Sequence, residues 1–240
     1  MNTSKLADKL VRWIRYQVVA AGAKGVVFGL SGGLDSAVVA ALAKRAFPQS
    51  CLGIIMPCYS DRKDSDHAQL IARELSLSVC EVVLDASYDI LLQTLRQTDQ
   101  SEPRRLAAAN LKPRLRMITL YYFAAQRGYL VVASTNKSEL NVGYFTKHGD
   151  VGDMLPLGDL VKRQVKDLAR YLGIPDIIIN KPPSAGLWAG QTDEEEMGLS
   201  YEELDCFLLS GQASSNTARR ILDLKQRSEH KRKPIPKPNY

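Results

Sequence analysis

The stretch that most constrains the fold is residues 25–46, where an apolar run, a glycine turn and an alanine-rich segment follow one another. The run from Val26 to Leu30 has the length of a buried strand, and Leu34 to Ala46 has the composition of a packed helix. Glycine allows a ligand to approach the main chain closely, and the free N–H groups at the start of a helix attract phosphate. The stretch therefore predicts a strand, an anion-binding loop and a helix.

Asp35 narrows the choice of anion-binding site. A carboxylate beside phosphate-binding amides would repel the ligand unless a cation lies between them, and Mg²⁺ held by one carboxylate and phosphate oxygens meets that need. The loop has neither the Gly-Lys-Ser/Thr end of a Walker motif nor the glycine pattern of a dinucleotide-binding turn. The alternative is a plain strand-to-helix turn in which Asp35 interacts only with the helix dipole.

Length and charge limit the class of protein. A chain of 240 residues can fill one sizeable α/β core. No apolar run approaches the roughly 20 residues that span a bilayer, and the charged N-terminus lacks a signal-peptide core, so we expect a cytoplasmic protein that does not bind membranes. The formal net charge of +6 fits a phosphate-rich partner, either nucleic acid or a small phosphorylated substrate. The cysteines lack paired or zinc-site spacing, and Cys51 and Cys80 are expected to be inert buried thiols.

The spacing of apolar residues predicts alternating strands and helices after a leading helix. The predicted strands are 26–30, 51–56, 78–84 and 129–133, and the predicted helices are 4–21, 34–46, 61–76, 87–97, 110–126, 159–173, 201–209 and 214–227. This alternation is typical of an α/β fold with a doubly wound parallel sheet flanked by helices. Such sheets bind ligands at the carboxyl ends of their strands, where the glycine loop begins.

Three features outside the glycine loop indicate a ligand. Lys162 lies in the first turn of a predicted helix, where a cation opposes the dipole, so we expect it to face an anion. The Pro/Gly-rich stretch 180–198 is too long for an ordinary connection, and its Trp188 indicates a lid that docks on the rest of the chain. The tail 229–240 is basic, and by itself it reads as solvated surface.

The region around residue 110 and the leading helix give smaller predictions. Asn110 is a candidate N-cap. Arg114 and Arg116 lie on different helix faces, so one of them can reach a ligand while the other makes a structural ion pair. Trp13 is expected to lie in the core.

Several motifs together resemble those of the ammonia-dependent NAD⁺ synthetases, which are N-type ATP pyrophosphatases. The motifs are Ser31-Gly-Gly-Leu-Asp-Ser36, Asn110-x-x-x-Arg114-x-Arg116-Met117, Gly143-Tyr-Phe-Thr-Lys147-x-Gly-Asp150, Pro156-Leu-Gly-Asp-Leu160, Lys181-Pro-Pro-Ser-Ala185 and Glu229-His-Lys-Arg232. The resemblance extends over nearly the whole chain. It implies a single synthetase domain over residues 1–240 with an adenine nucleotide alpha hydrolase-like fold.

The resemblance also implies the reaction. The nicotinate carboxylate of deamido-NAD⁺ attacks the α-phosphorus of ATP, pyrophosphate leaves, and ammonia then displaces AMP to give NAD⁺. Such chemistry needs positioning and charge neutralisation rather than a side-chain nucleophile, and the sequence offers no Ser/His/Asp or Cys/His arrangement. The loops 147–155 and 180–198 are expected to move and to exclude water from the adenylate.

The resemblance assigns site residues by position. ATP would contact Gly29, Leu30, Ser31, Gly32, Gly33, Leu34, Asp35, Ser36, Ser134, Lys162 and Ser184, and deamido-NAD⁺ would contact Arg114, Lys147, Asp153, His230 and Lys231. Mg²⁺ would bind Asp35 and Glu139. Asp35, Lys162 and Ser184 would act in catalysis, and the tail 229–240 would clamp the substrate.

The resemblance further implies the partners. A homodimer is expected, with the leading helix and residues 103–127 as candidate interfaces, and free ammonia is the expected nitrogen source. The nearest alternative is another amide ligase of the ATP pyrophosphatase class that acts on a different acidic substrate. A nucleic-acid-binding module is disfavoured because the basic tail lacks interleaved aromatic residues.

Overall fold

The computed structural model describes residues 2–99, 101–188 and 190–238. Within these ranges the strands are β1 (Gly25–Gly29), β2 (Cys51–Ile55), β3 (Ser78–Glu81) and β4 (Tyr129–Val132). The helices are α1 (Thr3–Ala20), α2 (Leu34–Ala46), α3 (Arg62–Glu74), α4 (Asp85–Thr98), α5 (Arg105–Ala109), α6 (Leu111–Arg127), α7 (Lys137–Val142), α8 (Lys162–Leu172), α9 (Asp176–Ile179), α10 (Asp193–Met197), α11 (Tyr201–Ser210), α12 (Ser215–Arg227) and α13 (Glu229–Arg232).

The strands form one parallel sheet in the order β3-β2-β1-β4. Val27 of β1 lies between Leu52 of β2 and Val131 of β4. The first strand in sequence, β1, lies inside the sheet, and later strands add on both sides of it. The sheet is therefore doubly wound, as predicted. The carboxyl ends of β1 and β4 therefore meet at one edge, and this edge carries the glycine loop and the polar stretch after β4.

Helices cover both faces of the sheet. One face packs α1, α2, α3 and α8 around Val26 and Phe28, and the other packs α4 and α6 around Val27 and Leu52. Helix α2 lies between the sheet and the outer helices, so small apolar residues are buried all round it. This burial fixes the start of α2, and hence the glycine loop, relative to the sheet.

A third apolar cluster lies beyond the carboxyl end of β4. It joins α7, α10, α11 and α12 through Val142, Met197, Tyr201, Leu204 and Ile221. The side chains of this cluster are buried, so the helices that carry them are held against the edge where the glycine loop lies.

Several predictions need correction. Trp13 is 36% exposed and does not lie in the core, because it points away from the buried stripe of α1. Asn110 caps no N–H group; it has helical backbone angles, and its side-chain oxygen accepts a bond from Thr146. The stretch 180–198 is not all loop, since α10 begins at Asp193. The short helices α5, α7, α9 and α13 were not predicted.

Some predictions fall partly outside the described residues. Ala189 of the predicted mobile loop and the last two residues of the basic tail, Asn239 and Tyr240, lie there. The organisation of residues 1–240 as a single domain stays a prediction. Across the described ranges, no helix combines the length and the apolar character needed to cross a membrane.

Candidate active site

The glycine corner, defined as residues 29–36, connects β1 to α2. The Ser36 hydroxyl donates to the Gly33 carbonyl at 2.9 Å and lies 3.0 Å from the Ser31 hydroxyl, so the loop is braced from inside. Gly32 has φ +73°, and a Cβ there would lie 2.3 Å from the Asp64 carbonyl oxygen on α3. Only glycine fits this turn. The first N–H groups of α2, which have no partner within the helix, point into the turn.

A charged cluster forms in front of the glycine corner. Lys162 Nζ lies 2.5 Å from Asp35 Oδ2 and 3.5 Å from Glu139 Oε1. The Asn136 side-chain amide donates to Asp35 Oδ1 at 2.9 Å. Burial alone would lower the pKa of Lys162, but attraction by Asp35 and Glu139 outweighs it, so the pKa is raised and the ammonium is kept. Lys162 therefore faces two carboxylates of the chain itself, and its contact with a bound anion stays a prediction.

A further carboxylate and a phenol surround this cluster. The Tyr201 hydroxyl lies 2.9 Å from Asp193 Oδ2 and 3.2 Å from Glu139 Oε1. Burial raises the pKa of Glu139 to about 8, and it also raises the pKa of Asp193. Asp193 Oδ1 is buried and has no hydrogen-bond partner among the described residues. Asp35 and Glu139 both contact the Lys162 ammonium, and Asp193 lies next to them through the Tyr201 hydroxyl. Full ionisation of these three carboxyl groups would leave an excess of negative charge, which an additional cation would neutralise.

Lys162 is positioned by a carboxylate on a different helix. Asp205 of α11 accepts hydrogen bonds from Arg163 N at 2.7 Å and Lys162 N at 3.3 Å, and from the Ser138 hydroxyl at 2.6 Å. Asp205 therefore supplies the negative charge that the N-terminus of α8 favours and that its own sequence lacks. This cap, supplied by a different helix, fixes the backbone at Lys162.

A cavity of about 940 Å³ opens at this edge of the sheet. Of the predicted ATP contacts, it is lined by Gly29, Leu30, Ser31, Gly33, Leu34, Asp35, Ser36, Ser134, Lys162 and Ser184. Gly32 does not line it; its carbonyl oxygen instead accepts a bond from Lys181 Nζ at 3.2 Å. The apolar side chains Ile54, Met56 and Leu120 line another part. The cavity thus combines a polar anion-binding end with an apolar wall.

The two arginines of α6 have different surroundings. Arg116 lines the cavity and donates to the Met56 carbonyl at 3.1 Å and the Ser60 hydroxyl at 3.2 Å. Arg114 is exposed, and its Nε lies 3.4 Å from the Lys147 carbonyl oxygen. Within the described part of the chain neither arginine makes an ion pair, so the predicted structural ion pair is wrong.

The predicted deamido-NAD⁺ residues divide into a cluster and an outlier. Arg114 contacts Lys147, whose Nζ donates to the His230 carbonyl at 3.0 Å, and Lys231 lines the cavity. Asp153 lies elsewhere: it accepts bonds from the Tyr121 hydroxyl at 2.9 Å and from the Val131 N–H at 2.7 Å. The tail is therefore folded against the cavity as far as Lys231.

The donors present fit Mg²⁺ only together with a phosphate ligand. Over the described residues, no group of three or more His, Cys, Asp or Glu side chains is arranged to hold a metal ion. Asp35 and Glu139 nevertheless converge on Lys162, and Asp193 adds an unpartnered carboxylate oxygen nearby. Mg²⁺ commonly binds one or two carboxylates plus substrate phosphates, which matches this incomplete donor set.

Comparison with known proteins identifies the family. The model of the NAD synthase family matches residues 6–235. The chain belongs to the NAD synthase family. The NH(3)-dependent NAD(+) synthetase of Carboxydothermus hydrogenoformans is 50% identical over 97% of this chain and 96% of its own length. The comparisons therefore confirm the predicted enzyme class, a ligase of NAD biosynthesis.

Solved structures support the same assignment for this NAD synthase family member. An NMN synthetase from Francisella tularensis has a TM-score of 0.95 and 38% identity, with full coverage of both chains. An NH3-dependent NAD synthetase from Campylobacter jejuni has a TM-score of 0.81 and 29% identity, again with full coverage of both. These relatives confirm the predicted fold.

Sequence reasoning missed several residues of this NAD synthase site. Asn136 had a usable signal, because Asn136 and Glu139 form a capping box at the start of α7. Asp193 stands in an acidic run that reads as solvated surface. Tyr201 and Asp205 had no local signal, since only the packing of α11 against α7 and α8 brings them to the cavity.

Proposed function

We propose that the chain catalyses the ATP-dependent amidation of deamido-NAD⁺ with ammonia, giving NAD⁺, AMP and pyrophosphate. The observation that carries the proposal is the convergence of the glycine corner, Lys162 and two carboxylates on one cavity. Those are the groups needed to hold a polyphosphate and to neutralise the charge that develops as pyrophosphate leaves.

The proposed first step is adenylation. A nicotinate carboxylate oxygen attacks the α-phosphorus of ATP, and the bond from that phosphorus to the bridging oxygen breaks, so pyrophosphate carries away the electron pair. Amides of the glycine corner bind the departing group, and Lys162 neutralises its charge. Ser184 lines the cavity from the loop before α10. Its hydroxyl donates a hydrogen bond to a phosphate oxygen.

The proposed second step is attack by ammonia on the carbonyl carbon of the adenylate. AMP leaves with the bridging oxygen, and the nitrogen loses a proton to solvent water to give the neutral amide. Asp35 and Glu139 would hold Mg²⁺, which would supply the positive charge that the phosphate groups need. The cavity walls exclude water, which would otherwise hydrolyse the adenylate.

The basic residues near the tail form the proposed side for the second substrate. Arg114, Lys147, His230 and Lys231 are assigned to deamido-NAD⁺, and the first three contact one another in sequence. We expect Lys231→Ala to raise KM for deamido-NAD⁺ more than KM for ATP, because Lys231 lies at the tail end of the cavity. Initial-rate kinetics with each substrate varied in turn test this. Equal changes in both KM values would contradict the assignment of Lys231 to deamido-NAD⁺.

The decisive experiment is a reaction containing ATP, Mg²⁺, deamido-NAD⁺ and ammonium. NAD⁺, AMP and pyrophosphate are expected in equal amounts. Omission of ATP, Mg²⁺ or deamido-NAD⁺ should abolish all three products, whereas omission of ammonium should abolish NAD⁺ and leave at most the pyrophosphate of the adenylation step. Formation of AMP and pyrophosphate only with a different acidic acceptor would overturn the choice of substrate.

A second candidate substrate is the nicotinate mononucleotide. It is supported by the TM-score of 0.95 to the Francisella tularensis NMN synthetase, and its reacting carboxylate is the same. Competition between equal concentrations of deamido-NAD⁺ and nicotinate mononucleotide distinguishes the two. A product mixture dominated by NAD⁺ favours the first proposal, and one dominated by nicotinamide mononucleotide favours the second.

We also propose a homodimer. Its support is the exposed apolar and aromatic surface of α6, where Ile118 is 67% and Tyr122 is 60% exposed, and of α1, where Tyr16 is 68% exposed. Asp153, which contacts Tyr121 of α6, would then lie next to the partner subunit. Light scattering of the purified chain should give twice the mass of one chain. The cytoplasmic location and the absence of a nucleic-acid partner stay predictions.

A further inference from the structure

The first turn of α6 holds a lysine in surroundings that disfavour positive charge. Lys112 is only 6% exposed, and it is the second residue of the helix, where the dipole is positive. Within the described ranges no carboxylate lies within 4 Å of its ammonium group. Burial lowers the pKa of Lys112. A buried cation of this kind needs other partners.

Its partners are one carbonyl and two aromatic rings. Lys112 Nζ donates to the Leu187 carbonyl oxygen at 2.8 Å. The ring centroids of Tyr59 and Tyr88 each lie 5.7 Å from the same nitrogen, close enough for cation–π attraction. Leu187 is therefore the hydrogen-bond acceptor that the structure provides for this ammonium among the described residues.

The cage around Lys112 is held together without the loop that carries Leu187. Tyr59 adopts φ +51°, its N–H donates to Asp85 Oδ1 at 2.7 Å, and its hydroxyl donates to Asp89 Oδ2 at 2.5 Å. Tyr88 packs edge-on against Tyr59. These bonds anchor the cage to α4, and none of them involves the loop that carries Leu187.

Leu187 belongs to the docking loop, defined here as residues 180–188. Trp188 follows it and lies under the Arg105 guanidinium, 4.2 Å from the ring centroid. Ser184, three residues before Leu187, lines the cavity. Undocking of the loop would deprive the buried ammonium of its acceptor, so the docked position is favoured by the same bond that satisfies Lys112.

We propose that Lys112 is a positioning residue that holds the docking loop over the cavity and thereby places Ser184 against the nucleotide. The inference rests on the proposed function for the identity of the nucleotide as ATP, but the loop contact is independent of it. Lys112 touches neither substrate; it acts through the backbone of Leu187.

The test compares Lys112→Met with Lys9→Met in the full chain. Methionine keeps the linear shape that the aromatic cage accepts but removes the charge and the N–H donors, and Lys9 is an exposed residue of α1. Hydrogen exchange of a peptide spanning residues 181–188 is measured without ligand, beside a peptide from the buried half of α6. KM and kcat for ATP are measured on the same samples.

In Lys112→Met, exchange of the loop peptide and KM for ATP should each rise roughly tenfold, the effect of one lost charge-assisted hydrogen bond, while kcat stays within about threefold. Exchange in α6 should not change, and Lys9→Met should resemble the parent protein. Unchanged loop exchange overturns the proposal, and an equal rise throughout α6 assigns Lys112 a merely structural role and also overturns it.

Lys112→Gln provides a second variant if Lys112→Met does not fold. Its amide ends one bond short of the ammonium position, so the bond to Leu187 is weakened and faster loop exchange is again expected. Unchanged loop exchange in this variant overturns the proposal as well. A parent protein that forms no nicotinamide product would contradict the proposed function, whereas the exchange data would still decide the role of Lys112.

Discussion

The glycine corner and the docking loop border the same cavity but are built in opposite ways. The corner is braced by Ser36 from inside, by α3 behind Gly32, and by the largely buried helix α2 that follows. The docking loop exposes Ser184 and is tied down by side chains such as Lys181, whose Nζ lies 2.6 Å from Asp64. One region is part of the core, and the other is fastened to it at a few points.

The two regions also differ in the charges that they bring to the cavity. The cluster of Asp35, Glu139 and Lys162 stands on helices whose starts are fixed by packing, so its field is preorganised. The docking loop contributes the Ser184 hydroxyl and Lys181, whose charge is paired with Asp64, so the predicted opening of this loop would leave the charged cluster in place. Substitutions in each region, paired with matched controls, test this contrast.

Asp35→Asn removes a negative charge from the glycine corner. We expect kcat to fall by roughly 10²–10³, because the variant loses the anion shared by Lys162 and the proposed metal ion. Pyrophosphate release is measured across a range of Mg²⁺ concentrations. Asp66→Asn, on the exposed side of α3, is the matched control and should keep full activity. Unchanged turnover of the Asp35 variant at limiting Mg²⁺ would contradict the metal role.

Gly32→Ala tests the backbone of the glycine corner by adding a Cβ at its tightest point. The added Cβ meets the Asp64 carbonyl and also strains a positive φ, so the free energy of unfolding should fall by about 2–4 kcal/mol. Gly22→Ala is the control, because Gly22 has φ +65° but no atom within 4 Å of the added group, and strain alone should cost about 1 kcal/mol. Urea unfolding measures both, and equal losses would show that the contact with α3 is unimportant.

Trp188→Leu changes the docking loop, and we expect it to alter activity and stability less than the two substitutions in the glycine corner. Loss of the contact with Arg105 should raise KM for ATP about threefold and change the free energy of unfolding by less than about 0.5 kcal/mol. Trp13→Leu, at the partly exposed tryptophan of α1, is the control and should leave KM unchanged. A large loss of stability in Trp188→Leu would mean that the loop belongs to the core.

The elements could be predicted where one local pattern decided them. The bounds of α2 agree residue for residue with the prediction, because an alanine-rich run after a glycine turn has one way to pack. Prediction failed where a distant contact decided the outcome: Asn110 bonds to Thr146 instead of capping α6, and Trp13 faces outward. No local signal reports such contacts.

The strand, the glycine turn, the helix after it and the parallel sheet could all be read from the sequence, as could the family motifs that supply many of the residues lining the cavity. These follow from periodicity and from short spacings, which need no knowledge of the rest of the chain. Only the tertiary structure decided that Asp193, Tyr201 and Asp205 belong to the site and that Lys112 holds Leu187. Burial made those contacts matter, because charges and polar groups removed from water must find partners, and the fold alone determines which partners are within reach.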